Sequence, residues 1–242
     1  ASDVYKRQAI NTDDRETEEK FLKNMLTPEM QEKRARLACA TDSDPMIRAQ
    51  DVTEYSIQSV RCKHLSGCWY EVSYRPYPKD STTYIPLRIT ADSLGKVRIS
   101  YVTPDWGNRN YGDYWFDIPE EKVMDDQDGK TFVETFYKSY AYTYIKMRPD
   151  LEQGLKHLRE TYCTPIMQEK YVRSRKEVEQ EDPMFDPVIG NDDFDVFWYN
   201  SLQVHPSETK GCFTVSYGCT KIRVALQCQD GKYKIADVEL IP

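Results

Sequence analysis

Thr27-Pro28-Glu29-Met30-Gln31-Glu32-Lys33 returns later in this chain as Thr164-Pro165-Ile166-Met167-Gln168-Glu169-Lys170, with one position changed. Further matches follow in the same order. Asp44-Pro45-Met46 matches Asp182-Pro183-Met184, residues 51–69 align without a gap on 195–213, and Val72-Ser73-Tyr74 matches Val215-Ser216-Tyr217. A spacing of about 140 residues is far longer than a solenoid repeat, so the pattern predicts a duplicated domain rather than an array. A chain of 242 residues has room for two such domains, each with its own core.

The second copy gives the clearer reading of secondary structure. Phe132, Phe136, Tyr137, Tyr140, Ala141 and Tyr144 fall at helical spacing and predict an aromatic helix that ends before Pro149. Leu151, Leu155, Leu158 and Tyr162 predict a second helix. Thr164, as N-cap with Pro165 at the first helical position, opens a third. From Asp195 onward, aromatic and β-branched residues predict strands over 195–205, 212–217, 222–228 and 233–240, with turns at Gly218 and Asp230-Gly231. The first copy predicts strands near 52–62, 69–75, 84–90 and 97–102. Helices followed by an antiparallel sheet define an α+β class.

The domains expected are 1–104, an aromatic-rich interdomain segment 105–130, and 131–242. By the repeat spacing, the partner of the helix starting at Thr131 begins before residue 1. Residues 1–8 resemble translated adaptor sequence. The first copy is therefore expected to be truncated at its N-terminus, lacking most of its first helix and any export signal.

Composition narrows the function. Lys and Arg total 33 against 40 Asp and Glu, a net charge of -7 that repels a phosphate backbone and argues against a nucleic-acid partner. The basic runs at 33–36 and 173–176 sit among acidic residues and read as solvated helix faces. Seven cysteines hint at an oxidising compartment, and Cys219 and Cys228, flanking one predicted strand, form the candidate disulfide. Phosphate loops, zinc-protease helices and nucleophile elbows are all missing. Cys62, His64 and Cys68 fall short of a four-ligand zinc set, and Asp125 to Gly129 fails calcium-loop spacing. No catalytic residue, metal or cofactor is expected.

What remains is a set of matched residues: Asp51 and Asp195, Tyr55 and Tyr199, Trp69 and Phe213, Tyr74 and Tyr217. They read either as a polar-aromatic ligand pocket on each sheet, with Asp as base and Tyr as donor, or as core and turn positions of a shared fold. Trp106 and Trp115 of the interdomain segment read as packing residues or as a stacking surface for a sugar or peptide.

Phe136-Tyr137-Lys138-Ser139-Tyr140, the Thr164-Pro165 helix start and the closing run from Asp230 to Ile235 resemble the domain of unknown function 3828 family. That family lies in the cystatin-like, nuclear-transport-factor-two-like superfamily. The resemblance implies two tandem cystatin-like domains, each with N-terminal helices packed on a curved antiparallel sheet. It also implies a secreted, periplasmic or cell-envelope bacterial protein that meets a membrane only through a lost lipid anchor. The expected function is non-catalytic binding of a small ligand or an envelope protein. Two alternatives stand beside it: an isomerase or dehydratase using Asp195 and Tyr199, and an immunity or inhibitor protein.

Overall fold

The computed structural model describes residues 15–104, 118–124, 127–147, 150–178 and 184–242. The chain divides into two compact units, 1–116 and 117–242, each α+β with a four-stranded antiparallel sheet. Residues 118–124, expected to belong to a separate interdomain segment, are part of the second unit: Ile118 is buried and Ser139 Oγ donates to the Glu121 carbonyl.

In the first unit, helices α1 (Arg15–Met25), α2 (Pro28–Thr41) and α3 (Glu54–Ser59) precede strands β1 (Arg61–Ser66), β2 (Trp69–Tyr74), β3 (Thr83–Ala91) and β4 (Val97–Val102). The sheet is a simple meander, β1-β2-β3-β4. Its helix-facing side buries Val72, Tyr74, Ile85, Leu87, Ile99 and Val102 against Leu22, Leu26, Met30 and Met46. Burial on this scale is what holds a unit of this size together.

The second unit has α4 (Gly129–Lys146), α5 (Leu151–Tyr162), α6 (Pro165–Val178), α7 (Val196–Ser201), β5 (Gln203–Pro206), β6 (Cys212–Tyr217), β7 (Thr220–Gln229) and β8 (Lys232–Leu240). Its sheet runs β5-β6-β7-β8. Asp128 opens α4 as its N-cap by accepting from the amides of Lys130 and Thr131. Phe132, Phe136, Tyr140 and Tyr144 recur every fourth residue of α4 and are all buried. The turn at Asp230-Gly231 has positive φ at both residues, 51° and 77°, as a two-residue hairpin of the twist-compatible type requires.

The strands expected over 52–62 and 195–205 are helical in their first part. Thr53 and Ser56 form a capping box, and Asp195 caps by accepting from Phe197 N at 2.8 Å. Each cap starts a six-residue helix that the β-rich composition conceals. Only after Val60 and Leu202 does the chain extend.

The same bonds recur in both units. Thr27 and Thr164 each accept an amide three residues on at 3.2 Å, from Met30 and Met167. Their own amides reach the sheet at Ile99 O (3.0 Å) and Ile235 O (2.9 Å). Gln31 and Gln168 each donate to the carbonyl five residues back at 3.3 Å. A tight loop follows in each unit, and here the bonds correct the sequence match. Asp44 accepts from Met46 N and Arg48 N, and Asp186 accepts from Val188 N and Gly190 N. Asp186-Pro187, not Asp182-Pro183, therefore takes the place of Asp44-Pro45. The fifth loop residue is left-handed in both cases, Arg48 at φ 53° and Gly190 at φ 62°.

Candidate functional site

The matched tyrosines are latches. Tyr74 OH donates to Ile47 O and Tyr217 OH donates to Ile189 O, each tying a central strand to the tight loop of its own unit. Both are buried, and burial pushes both phenols up. Neither hydroxyl faces a ligand space.

The other matched residues separate. Asp195 is fully buried as the cap of α7, whereas Asp51 is exposed; the residue that caps the equivalent helix is Thr53. Tyr55 is 37% exposed, while Tyr199 is 5% exposed and donates to Pro119 O at 3.2 Å. Trp69 pairs with Arg88 and Cys212 pairs with Ala225, at the same step before the bulge in each sheet. Cys212 thus stands where Trp69 does, and Phe213 lies one residue on, on the opposite face. The Trp69 side of the first sheet buries Trp69 and Tyr101, with the Arg88 guanidinium carbon 5.9 Å and 5.6 Å from their rings. The same side of the second sheet is polar, carrying Thr214, Arg223 and Glu239. The expected pocket of Asp, Tyr and aromatic side chains is therefore not assembled on either sheet. Trp106 and Trp115 lie outside the described residues.

All seven cysteines are free thiols. The expected pair, Cys219 and Cys228, sit at opposite ends of β7, on the order of 30 Å apart at the rise of a strand, far beyond the reach of a disulfide. Among the described residues no group of three or more His, Cys, Asp or Glu side chains converges to hold a metal. Among the same residues no helix is long and apolar enough to cross a membrane.

Asp186 gathers a buried polar network in the second unit. Its Oδ2 accepts from Tyr140 and Tyr144, both at 2.8 Å, and Arg159 Nη1 lies 3.9 Å away. Arg159 also donates to the Tyr140 hydroxyl and lies 4.1 Å over the ring of Tyr171. Tyr137 completes the cluster by donating to Val188 O at 3.0 Å. Burial drives the phenols of Tyr137, Tyr140 and Tyr144 well above their ordinary range, and the Asp186 charge adds to it. Asp186, Arg159, Tyr137, Tyr140 and Tyr144 are all buried, so the network specifies the core rather than a reaction.

The open site lies on the far side of α4. A cleft of about 380 Å³ is floored by Ser139, Tyr142, Thr143 and Lys146 of α4. One wall is α5, with Gly154, His157 and Leu158, and the other is residues 120–123. This volume falls within the range of small-ligand sites. Gly154 keeps the helices close at this point: a Cβ there would stand 3.1 Å from Thr143 Cγ2. Residues 118–124 run without helix, turn or bend and are pinned by side chains. Ser139 Oγ and Tyr199 OH donate to the carbonyls of Glu121 and Pro119, and Lys138 Nζ lies 3.1 Å from both Glu121 Oε1 and Glu134 Oε1. Burial and the adjacent Glu121 carboxylate push the Tyr199 phenol upward. The lining sets Glu120, Glu121 and Asp150 against Lys122 and Lys146, with His157 beside them, so no large excess of either charge builds up.

No family model matches this chain, and no curated protein matches it. Among solved structures, a protein of unknown function from Bacteroides thetaiotaomicron VPI-5482 is similar, at 32% identity over 43% of this chain and 85% of that one, with a TM-score of 0.39.

Proposed function

We propose that this chain is a non-catalytic binding protein that takes its ligand in the cleft between α4, α5 and residues 120–123. The observation that carries this reading is the contrast between the two polar groupings of the second unit. Asp195, Tyr217 and the Asp186 cluster are closed and engaged with each other or with backbone, while the cleft keeps polar and aromatic groups open to solvent. An isomerase or dehydratase built on Asp195 and Tyr199 gains no support from this arrangement. Asp195 has no exposed surface and Tyr199 is engaged with Pro119 and Glu121.

The finer assignment is part of the same proposal: two tandem cystatin-like units, related to the domain of unknown function 3828 family, in a protein of the bacterial envelope or exterior. Its support is the set of motif residues and the bonds that recur at Thr27 and Thr164, Gln31 and Gln168, and Asp44 and Asp186. A thermal-shift screen of small polar metabolites and peptides tests the cleft. A ligand at 100 times its Kd raises stability by about 2.7 kcal/mol, and His157→Trp, which fills the rim from an exposed position, abolishes that shift. A shift that survives His157→Trp places binding elsewhere, and a silent screen counts against the reading.

A further inference from the structure

We infer that the cleft takes an extended peptide, which pairs through its backbone with residues 120–123 and seats one side chain between α4 and α5. This rests on the reading of the cleft as a binding site and names its ligand class.

The wall formed by residues 120–123 differs from the other two. It is backbone running without helix, turn or bend, and among the described residues its only backbone hydrogen bond to the rest of the chain is the one Ser139 donates to Glu121 O. Among the described residues, the amides of Glu120, Glu121, Lys122 and Val123 and the carbonyls of Glu120, Lys122 and Val123 find no hydrogen-bond partner. Such a row of open donors and acceptors is what a peptide strand completes when it adds to a protein edge. The row is also held in place before any ligand arrives. Tyr199 anchors it at Pro119, and Ser139 and Lys138 anchor it at Glu121, so little ordering cost falls on binding.

The helical lining supplies the complement to backbone pairing. Tyr142, Leu158 and Tyr162 offer apolar surface within the cleft, while His157 and Lys146 bring polar groups to the same lining. A space of about 380 Å³ holds one large side chain with room around it, not a folded domain. Three carboxylates against two lysines give no attraction for a polyanion, and backbone recognition needs none. The partner is therefore a disordered or loop segment with an aromatic or long aliphatic anchor.

The test uses the full chain and a displayed random-peptide library, with selected peptides remade synthetically. Binding is followed by amide chemical shifts and by calorimetry. N-methylation at alternate peptide positions weakens binding by roughly tenfold per lost hydrogen bond, while methylation at the intervening positions is tolerated. Lys122→Pro, which removes one exposed amide from the wall, weakens the same peptides by a similar factor and leaves the unfolding curve unchanged. Peptides that bind the cleft but tolerate every N-methylation and Lys122→Pro overturn backbone pairing. Small-molecule probes that shift Tyr142 and His157 when no peptide does so overturn the peptide class yet leave the cleft standing as a site. Failure of both probe sets overturns the cleft reading itself.

Discussion

The hydroxyl of Tyr140 donates to Oδ2 of Asp186 at 2.8 Å, with Tyr140 fully buried and Asp186 nearly so. Tyr144, one turn along the same helix, donates to the same oxygen. Asp186→Ala therefore removes the acceptor of two phenols and the counter-charge beside Arg159 together. The expected loss is about 3 kcal/mol or more, read as a lowered urea midpoint for the second unit; Asp186→Asn, which keeps an acceptor, loses less. Equal losses for the two variants would show that a neutral amide oxygen cannot stand in for the carboxylate.

Alkaline stability follows from the same cluster. The phenols of Tyr137, Tyr140, Tyr144 and Tyr217 are all held above the ordinary tyrosine value of 10.0 by burial. A raised pKa means the folded unit keeps protons that the unfolded chain releases. The stabilisation is thus complete below about pH 10 and is lost as pH rises from there toward the folded values. A spectrophotometric phenolate titration is expected to show this buried group ionising only as the unit unfolds.

Glycine is required at one turn for space as well as for conformation. At Gly218, φ is 52° and a Cβ would sit 2.7 Å from Trp198 Nε1, whereas at Gly95, φ is 75° with nothing within 4 Å. Gly95→Ala is expected to cost about 1 kcal/mol for the left-handed backbone alone, and Gly218→Ala clearly more, in denaturant unfolding of purified variants. Trp198 fluorescence should also change in Gly218→Ala.

Thr27→Ala and Thr164→Ala remove the same hydrogen bond from the first turn of α2 and of α6. Each is expected to cost about 1 kcal/mol, and the similarity of the two values is the measurement that matters. Costs that differ by more than about 1 kcal/mol would show that the two caps are not interchangeable.

Thiol chemistry separates the cysteines by exposure. Cys39, Cys62, Cys68, Cys219 and Cys228 are exposed, whereas Cys163 is buried and its thiol is pushed up to about 12 by that burial. Native alkylation followed by mass spectrometry is expected to label the five exposed residues and to spare Cys163 until the chain is denatured. An internal Cys219–Cys228 disulfide after mild oxidation would contradict the extent of β7.

Much of this fold is legible in the sequence because caps and turns need particular chemistry. Thr164-Pro165 can hardly be other than a helix start, and Asp230-Gly231 supplies the two positive φ values that a tight hairpin demands. Register is less legible, because matching letters maximises identity whereas the sheet obeys hydrogen bonds. Asp-Pro occurs at both 182–183 and 186–187, and only the bonds of Asp186 show which one forms the loop. Asp195 matches Asp51 in type, yet Thr53 does its work at the helix cap. The cleft is least legible of all. Its wall at 120–123 carries no motif, and its chemistry depends on Ser139, Tyr142 and His157 meeting that wall in space.

The left-handed loops at Arg48 and Gly190 fix where the two halves of the gene could be spliced into each other. From Ala49 to the cap at Thr53 the chain has three intervening residues, and from Asn191 to the cap at Asp195 it also has three. A recombinant joined by letter, Gln50 directly to Asp195, would have one residue to cover that span and could not seat the helix beneath its loop. Joined instead at the caps, with Val52 leading into Asp195, the span is preserved and the hybrid keeps its frame of bonds. For any attempt to shuffle the halves, the loop is the ruler and the shared wording is not.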